Sequence, residues 1–267
     1  MLSLAALLLT LGAAAQTWRV VKTDGTVVDY PASDVRYVTI VTGDSPNPNP
    51  NPDPNPNPNP NPGNHEYVDL GLPSGTQWAT CNIGATKPEE GGDFFAWGET
   101  TGYNSGKTVF NSDTYKWWKS AYNSLTKYCV DSELGYNELA DMKTELDLAD
   151  DAAYMNWGRQ WRMPTLAQVQ ELVNSEYTTQ EWTTQNGVYG RKITSKANGK
   201  SIFLPAAGYH NFTSYHNDGT GGYYWSNTLY VRDSYLAQGL AFDAKGIGTY
   251  GSSRYVGRNI RPVCVPQ

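Results

Sequence analysis

The sequence predicts an α+β fold in which short strands and long loops outnumber a few short helices. Asn186-Gly187 and Asn198-Gly199 each stand between alternating apolar and polar residues, the pattern of β-hairpin turns. Helix signals occur at residues 151–157 and in the segment after Thr165. Tyrosine (19 residues) and glycine (26 residues) are frequent, while charged residues make up only 17%. This balance is typical of a loop-rich domain with many aromatic contacts and not of a helical bundle.

Thr165 opens the clearer of the two helices. Its side chain is expected to accept from the backbone N–H of Gln168, whose own side chain reaches back to the Thr165 N–H, as in a capping box. The apolar residues that follow recur at helical spacing and predict a buried stripe: Leu166, Val169, Leu172 and Val173. The turn before the helix, residues 156–165, is dense in Trp and Arg. We therefore expect this turn to lie at the centre of the core.

The second helix and the ends of the main domain have weaker signals. The helix over residues 151–157 is predicted to be capped by Asp150 and to end at Gly158. Two strands in residues 68–86 are predicted to be joined by a Pro73-Ser74-Gly75 turn, and a closing strand is predicted around residues 259–263. These strands would begin and end the domain.

The first residues of the chain are typical of an export signal. Residues 1–15 are an apolar run that ends in three alanines, which predicts a secretory signal cut after Ala15. The run lacks the usual basic start, and a buried N-terminal helix is the alternative. It is too short to span a bilayer comfortably, so no membrane span is expected after cleavage. We therefore expect a secreted or cell-surface protein.

A small β module and a linker are predicted before the main domain. In residues 16–43, Asp24-Gly25 between two apolar runs predicts a hairpin, which a short strand at residues 37–41 would join. This module resembles one found behind the signal in secreted proteins of Bacteroidetes, and we interpret it as a spacer or docking piece. Residues 44–64 are a Pro-Asn repeat that holds nine of the sixteen prolines. In polyproline II form it would be a stalk on the order of 50 Å long; a Pro-rich docking ligand is the alternative. Residues 65–267 form the main domain.

The net charge and the motifs of the sequence exclude several classes of function. The net charge of −6 and the pI of about 5.1 argue against a nucleic-acid partner. His65, His210 and His216 have no metal-binding spacing, and neither a phosphate-binding glycine loop nor a Gly-x-Ser-x-Gly elbow occurs. Three carboxylates are better interpreted as helix caps and solvated faces than as an acid/base pair: Asp150, Asp151 and Glu171. We therefore expect a protein that is not an enzyme.

Several segments of the main domain resemble the Fibrobacter succinogenes major paralogous domain family. They are VDLGLPSGTQWATCNIGA, GDFFAWGET, LTKYC, DDAAYMNWGRQWRMPT, IFLPAAGY, GGYYWSNTLY and GRNIRPVC, in order over residues 68–264. The resemblance implies a C-type-lectin-like fold of the formylglycine-generating-enzyme branch, with a small twisted antiparallel sheet. Its terminal strands would lie together, and long loops would be presented at one end.

The resemblance also bears on the three cysteines. It brings Cys81 and Cys264 near each other, where either a disulfide or two buried thiols is possible. Family members often carry a cysteine where Trp118 stands here, so the family's bridge to Cys129 is not expected, and Cys129 is expected to be a packed thiol. The formylglycine-generating enzymes need a cysteine pair for their copper chemistry. No such pair is recognised here, so we rank an enzyme last.

No resident cofactor is expected, with calcium as the alternative. Trp225-Ser226-Asn227 only partly resembles the Trp-Asn-Asp of calcium lectins. Asp218, Asp233 and Asp243 supply oxygen atoms, but their spacing is not that of an EF-hand loop.

The segment from Tyr209 to Tyr255 has the composition of a binding surface, since Tyr, Ser, Asn and Gly dominate it. Some of its tyrosines are expected to pack the loop bases instead. Because Tyr223 and Trp225 flank Tyr224, we expect one face of that strand to be core. Arg258 and Arg261 are expected to be structural. The residues that we predict to be exposed and to bind the ligand are Tyr215, Asn217, Asp218, Tyr230, Arg232, Asp233, Tyr235, Tyr250, Ser252, Arg254 and Tyr255.

These observations predict a secreted or surface-exposed, non-enzymatic module that binds a glycan or a protein and is held on a stalk. An adhesin or fimbrial tip, or an assembly subunit, is the alternative. A receptor diversified by a retroelement is a variant of the first hypothesis, because the resemblance includes such proteins, whose variable residues lie near the C-terminus.

Overall fold

The structure is a computed structural model. It describes residues 17–21, 27–31, 65–119 and 123–264. The predicted signal, the strand at residues 37–41 and the Pro-Asn stalk lie outside the described residues, so those predictions stay predictions. The chain divides into two compact units, Met1–Pro56 and Asn57–Gln267, and each is described by itself.

The first unit contains the predicted hairpin. Strands β1 (Thr17–Val21) and β2 (Val27–Pro31) pair antiparallel, and Val21 lies opposite Val27. The hairpin is therefore confirmed, although its turn at Asp24-Gly25 lies outside the described residues.

The second unit is mostly β-sheet with few helices, in agreement with the predicted abundance of short strands. Its helices are α1 (Ala152–Trp157) and α2 (Leu166–Leu172). Its strands are β3 (Tyr67–Asp69), β4 (Gln77–Ala79), β5 (Trp161–Arg162), β6 (Thr178–Gln185), β7 (Val188–Ser195), β8 (Ser201–Pro205), β9 (Ala207–Asn211), β10 (Ser214–Asp218), β11 (Gly221–Leu229), β12 (Leu236–Asp243), β13 (Ile247–Ser253) and β14 (Val263–Cys264). Among the described residues, no helix is long and apolar enough to cross a membrane.

The two ends of this unit share a four-stranded sheet with the order β3-β4-β14-β5. Val263 of β14 lies between Trp78 of β4 and Arg162 of β5, and both pairings are antiparallel. Strands β3 and β4 are joined through the predicted turn, where Gly75 at φ 70° donates its N–H to the Leu72 carbonyl. The terminal strands thus lie side by side, as expected.

The largest sheet has five strands in the order β10-β9-β11-β12-β13. Residues 257–259 run between β9 and β11: Gly257 bridges His210, and Asn259 bridges Tyr224 in parallel. One face of β11 was expected to be core, and the structure buries side chains on both faces, because neighbouring Tyr224 and Trp225 are both buried. Tyr224 belongs to a hydrophobic cluster with α2, and Trp225 belongs to a second cluster with α1 and β5. At these two positions the strand is therefore packed on both faces.

The third sheet, β6-β7-β8, is built by the two predicted hairpins. Gln185 lies opposite Val188, so Asn186 and Gly187 form a two-residue turn with φ of 49° and 83°. Positive φ at both positions is what a type I′ turn requires. At the second hairpin, Gly199 has φ of 72° within the connection between β7 and β8. Both turn predictions are confirmed.

Both helix starts carry a side-chain cap. Thr165 and Gln168 form the predicted capping box on α2. The prediction that Asp150 caps α1 is wrong by one residue, since Asp151 accepts from the N–H groups of Ala153 and Tyr154. Asp150 ends a preceding 3-10 turn and pairs with other side chains, which leaves Asp151 in the extended conformation of an N-cap. Gly158 ends the helix as predicted.

The Trp- and Arg-rich turn between the helices is part of the core, as expected. Trp161 and Met163 are buried, and the Met163 N–H donates to the carboxylate of Asp151 at 2.9 Å. The cap of α1 therefore also fixes the start of the segment that leads into α2.

Candidate functional site

The predicted ligand-binding residues lie on two separate surfaces. Three of them, Tyr215, Asn217 and Asp218, are on β10, and the others are on or near the β11–β12 connection and β13. Strands β10 and β13 are opposite edges of the five-stranded sheet. Four inter-strand spacings of about 4.8 Å separate them, or roughly 19 Å. The structure therefore does not bring all of these residues together.

The predicted residues also differ in exposure. Tyr215, Asn217, Asp218, Arg232 and Tyr250 are exposed, as predicted. The prediction holds only in part for five half-buried residues: Tyr230, Asp233, Tyr235, Ser252 and Tyr255.

The half-buried tyrosines support the loops from below. Tyr235 packs on Trp118 with ring centroids 4.8 Å apart, and Tyr255 packs against two hydrophobic clusters. Tyr230 covers Gly251, where a side-chain carbon would lie 3.3 Å from the Tyr230 ring. Loop-base packing, the alternative given for some of the tyrosines, thus applies to all three.

Arg254 was predicted to be exposed, and this prediction is wrong. The side chain is only 1% exposed. Its Nη1 donates to the carbonyls of Tyr128 at 3.1 Å and Ser234 at 2.9 Å, and Nη2 donates to that of Lys127 at 2.9 Å. Its Nε donates to the Tyr115 hydroxyl at 2.9 Å. The planar guanidinium can be buried here because each of its nitrogens has an oxygen partner.

A groove of about 390 Å³ lies beside Arg254 and has two of the predicted residues, Arg232 and Asp233, on one wall. We call it the 130/232 groove. It is lined by Val130, Asp131, Ser132, Leu134, Ala140, Val231, Arg232, Asp233 and Ser234. Its volume falls within the range of small-ligand sites.

Two contacts join the walls of the 130/232 groove. The Val130 N–H donates to the Ser234 hydroxyl at 3.1 Å. Arg254 Nη1 adds the second contact, because it donates to the carbonyls of Tyr128 and Ser234 together. The spacing between the walls is therefore set by buried and half-buried hydrogen bonds and not by the exposed side chains.

The wall formed by residues 130–134 was not predicted from the sequence. It follows Tyr128, whose φ of 58° is unusual for an aromatic residue. The Asp141 carboxylate accepts from the N–H groups of Tyr128 at 2.8 Å and Cys129 at 2.9 Å, which stabilises this bend. The Asp131 side chain accepts from the Glu133 N–H at 2.9 Å and tightens the next turn. The available sequence signal was the Asp131-Ser132 pair before Gly135, which indicates a turn and says nothing about a distant partner.

A charged network lies under this wall. Asp150 accepts from Lys127 Nζ at 2.6 Å, from the Tyr128 hydroxyl at 2.6 Å and from Lys116 Nζ at 3.1 Å. Burial alone raises the pKa of Asp150, but the hydrogen bonds from Lys127, Tyr128 and Lys116 outweigh it and lower the pKa. For Lys127, burial lowers the pKa, and the bonds to Asp147 and Asp150 more than reverse it, so the pKa is raised. Asp150 is thus a buried ion-pair residue and not the solvated carboxylate that was expected.

The segment that partly resembles a calcium-lectin motif is structural. Ser226 is buried, and its hydroxyl donates to the Gln238 carbonyl at 2.9 Å. Asp218 accepts from the Tyr215 hydroxyl on β10, whereas Asp243 accepts from the N–H groups that follow β12. Within the described residues, no group of three or more His, Cys, Asp and Glu side chains could hold a metal ion.

No disulfide joins Cys81 and Cys264. The strand register explains this, because Cys264 lies opposite Gln77, four residues before Cys81. Four strand residues span about 13 Å, whereas a disulfide needs Cα atoms within about 7 Å. Of the two possibilities left open, the structure therefore has the thiols, but only Cys264 is buried and Cys81 is half-buried. Cys129 is buried, as predicted, and its thiol donates to the Asp131 carbonyl.

No family model matches the sequence, and neither a curated protein nor a solved structure is detectably similar to it. The structure itself defines a mostly-β domain with a preformed groove between two loop segments. The resemblance to the major paralogous domain family remains a prediction.

Proposed function

We propose that residues 65–267 are a non-enzymatic binding module that contacts a glycan or a protein at the 130/232 groove. The observation that carries this proposal is the pair of contacts that sets the spacing of the groove walls: the buried hydrogen bonds of Arg254 and the half-buried hydrogen bond from the Val130 N–H to the Ser234 hydroxyl. A binding site whose walls are already fixed loses little conformational entropy when its ligand arrives.

The lining of the groove is suited to a ligand that has both apolar and polar groups. Val130, Leu134, Ala140 and Val231 offer apolar contact. Arg232 and Asp233 offer charged hydrogen-bonding groups beside them. Specific sites commonly combine an apolar lining with a few placed polar groups.

The proposal includes a C-type-lectin-like fold. Two features support it: the terminal strands β4 and β14 pair directly, and long irregular segments such as residues 100–119 and 123–147 connect the regular elements. It also keeps the predictions from the sequence that residues 1–15 direct export and that residues 44–64 form a stalk.

An assembly subunit is the second candidate, and the edge strand β6 favours it. This strand has eight residues and pairs on one side with β7. Among the described residues its other edge has no strand partner. An open edge of this length can accept a strand from a neighbouring subunit.

The experiment is a screen of the full chain against arrays of glycans and of surface proteins. A hit is then measured by calorimetry with the double variant R232A/D233A. The double variant K200A/E176A, which removes one exposed charge of each sign elsewhere, is the control. Tyr230 and Tyr255 are left unchanged because they pack under the loops.

We expect R232A/D233A to bind at least tenfold more weakly, while K200A/E176A binds as the wild type does. Unchanged binding by R232A/D233A would reject the groove as the site. The second candidate would be favoured if neither array gave a binding signal and if a neighbouring subunit that pairs with β6 co-purified with the protein.

A further inference from the structure

Arg258 is a buried cation without a partner. It is 7% exposed, and its Nε and Nη1 have neither solvent contact nor a hydrogen-bond acceptor among the described residues. No carboxylate in the described part of the chain forms an ion pair with it. A buried, unpaired charge is costly, so such a group calls for an explanation.

Two other buried arginines lie in the same segment, and their hydrogen bonds can be compared with those of Arg258. Arg254 and Arg261 are each 1% exposed, and every guanidinium nitrogen in both donates a hydrogen bond. Arg261, for example, reaches the carbonyls of Ala79 and Phe203. These two are structural, as expected of Arg261. Arg258 was expected to be structural as well, but its donors satisfy nothing in the fold.

The surroundings of Arg258 are aromatic. Its guanidinium lies 4.6 Å from the Trp225 ring centroid and 5.4 Å from that of Tyr223. Tyr209 contacts Tyr223 edge to face at 4.9 Å. Burial lowers the pKa of Arg258 to about 10, so the side chain is still positively charged at neutral pH. The rings attract this cation but accept no conventional hydrogen bond from it.

The guanidinium is next to a strip of small residues on the same sheet face. Trp225 pairs with Gly239, and Gly239 pairs with Tyr250 on β13. A side-chain carbon at Gly239 would lie 3.4 Å from Arg258 Nη1. Tyr250 is 57% exposed on the far side of this strip. We call the group of neighbouring residues Tyr223, Gly239, Ala241, Tyr250 and Arg258 the Arg258 trough; Tyr250 is exposed, Tyr223 and Ala241 are half-buried, and Gly239 and Arg258 are buried.

We propose that the Arg258 trough binds the carboxylate of an acidic sugar, with the guanidinium as its counter-ion. A guanidinium pairs with a planar carboxylate through two parallel hydrogen bonds. Tyr223 and Tyr250 offer ring faces and hydroxyl groups, the combination that suits the apolar face and the hydroxyl groups of a pyranose. An acidic peptide would satisfy the charge alone, and the experiment below includes it.

For the ligand to reach the buried donors, the Tyr223 side chain has to move aside and contact the ligand from its new position. The Tyr223 hydroxyl accepts from Asn217 Nδ2 at 2.6 Å, and Asn217 lies on the edge strand β10 at φ 58°. Asn217 is itself exposed, so breaking this contact leaves an amide that water can solvate. In the bound state Asn217 is free to donate to a sugar hydroxyl instead.

The trough and the 130/232 groove are separate sites. The trough residues Tyr223, Gly239, Ala241, Tyr250 and Arg258 are all absent from the lining of the groove. The proposal for the trough therefore does not depend on the function proposed for the groove.

The test uses calorimetry on the full chain with trigalacturonic acid, its trimethyl ester and hexaglutamate as probes. The ester keeps the sugar rings and removes the negative charges. We expect the acid to bind at least tenfold more tightly than the ester and than hexaglutamate. We expect R258M to lose at least tenfold in affinity for the acid, and R232A/D233A to bind it as the wild type does.

Thermal unfolding separates a binding role of Arg258 from a structural one. In the absence of ligand, R258M should melt no lower than the wild type, whereas R261M, which removes satisfied donors, should melt lower. Because Tyr250 is exposed, Y250A keeps the fold and should bind the acid several-fold more weakly. Equal affinity for acid and ester, full binding by R258M or by Y250A, or tighter binding of hexaglutamate would each overturn the proposal.

Discussion

Arg254 and Ser234 are joined by a buried hydrogen bond of 2.9 Å from guanidinium to carbonyl, and the same nitrogen also reaches the Tyr128 carbonyl. One side chain thus holds both walls of the 130/232 groove. A residue with this role affects ligand binding without touching the ligand.

Replacing Arg254 by lysine should therefore lower both stability and affinity. An ammonium group cannot reach four oxygen partners in one plane, and buried acceptors are left unpaired. We expect the free energy of unfolding to fall by about 2–4 kcal/mol. Urea unfolding measures this, with R232K as the exposed control, which should change by less than about 0.5 kcal/mol. A stable R254K protein would contradict the structural role.

Asp150 should stabilise the fold at neutral pH, and this contribution should be lost in acid. Its pKa is lowered by Lys127, Tyr128 and Lys116, despite burial. The folded carboxylate therefore stays ionised at a pH where the unfolded one is protonated, and stability is lost as the pH falls below about 4. D150N removes the ion-pair partner of Lys116 and leaves Lys127 with Asp147 alone, and it should cost about 2–4 kcal/mol at pH 7.

The comparison for Asp150 is urea unfolding at pH 7 and at pH 3.5 for both proteins. The difference in stability between wild type and D150N should be smaller at pH 3.5. An equal difference at both pH values would show that the ionised form of Asp150 is not what stabilises the network.

His210 should make the protein less stable in mild acid. Its ring lies between Tyr103 at 4.2 Å and Tyr215 at 4.8 Å, and its Nδ1 is buried without a partner among the described residues. Burial and nearby His216 lower its pKa, while Asp93 acts in the opposite direction. The unfolded chain therefore binds a proton before the folded one does, and stability falls as the pH drops through about 6.5.

H210F keeps an aromatic ring in the stack and removes the titration. We expect its free energy of unfolding to change less between pH 7.5 and 5.5 than that of the wild type. His65 also has a pKa lowered by burial, so some dependence remains in H210F. An unchanged pH profile would show that His210 titrates as freely in the folded protein as in the unfolded one.

The capping box of α2 should contribute measurably to stability. Thr165 Oγ1 accepts from the Gln168 N–H at 3.2 Å, and the Gln168 side chain accepts from the Thr165 N–H at 2.9 Å. T165A should cost about 1 kcal/mol in urea unfolding. S175A removes an exposed hydroxyl just beyond the helix and is the control. Its free energy of unfolding should be close to that of the wild type. If T165A is also near zero, the cap is not needed to start the helix.

Local signals predicted the parts of the fold that depend on neighbours in sequence. Asn186-Gly187 specifies its turn because both residues accept positive φ, and Thr165 caps a helix with a residue three positions away. The sequence predicted the wrong aspartate as the cap of α1. The Asp150 carboxylate instead accepts hydrogen bonds from Lys127 and Tyr128, which lie more than twenty positions away in the sequence. Adjacent aspartates give the same sequence signal, so only tertiary contacts distinguish them.

The candidate site was predicted only in part for the same reason. Arg232 and Asp233 were identified by composition, but the facing wall begins at Val130, 104 positions from its partner Ser234. Arg254 lies in a polar, tyrosine-rich segment that resembles a binding loop, and nothing nearby in sequence indicates its buried oxygen partners. Equally, the sequence cannot show that Arg258 has no partner while Arg261 has several.

The position of β14 between β4 and β5 has a consequence for how the protein is made. Neither of these strands can complete its pairing on the ribosome until Val263 and Cys264 have been synthesised. Until then β4 has β3 as its one strand partner and β5 has none among the described residues, so this sheet is completed only after all the segments between β3 and β14 have been translated.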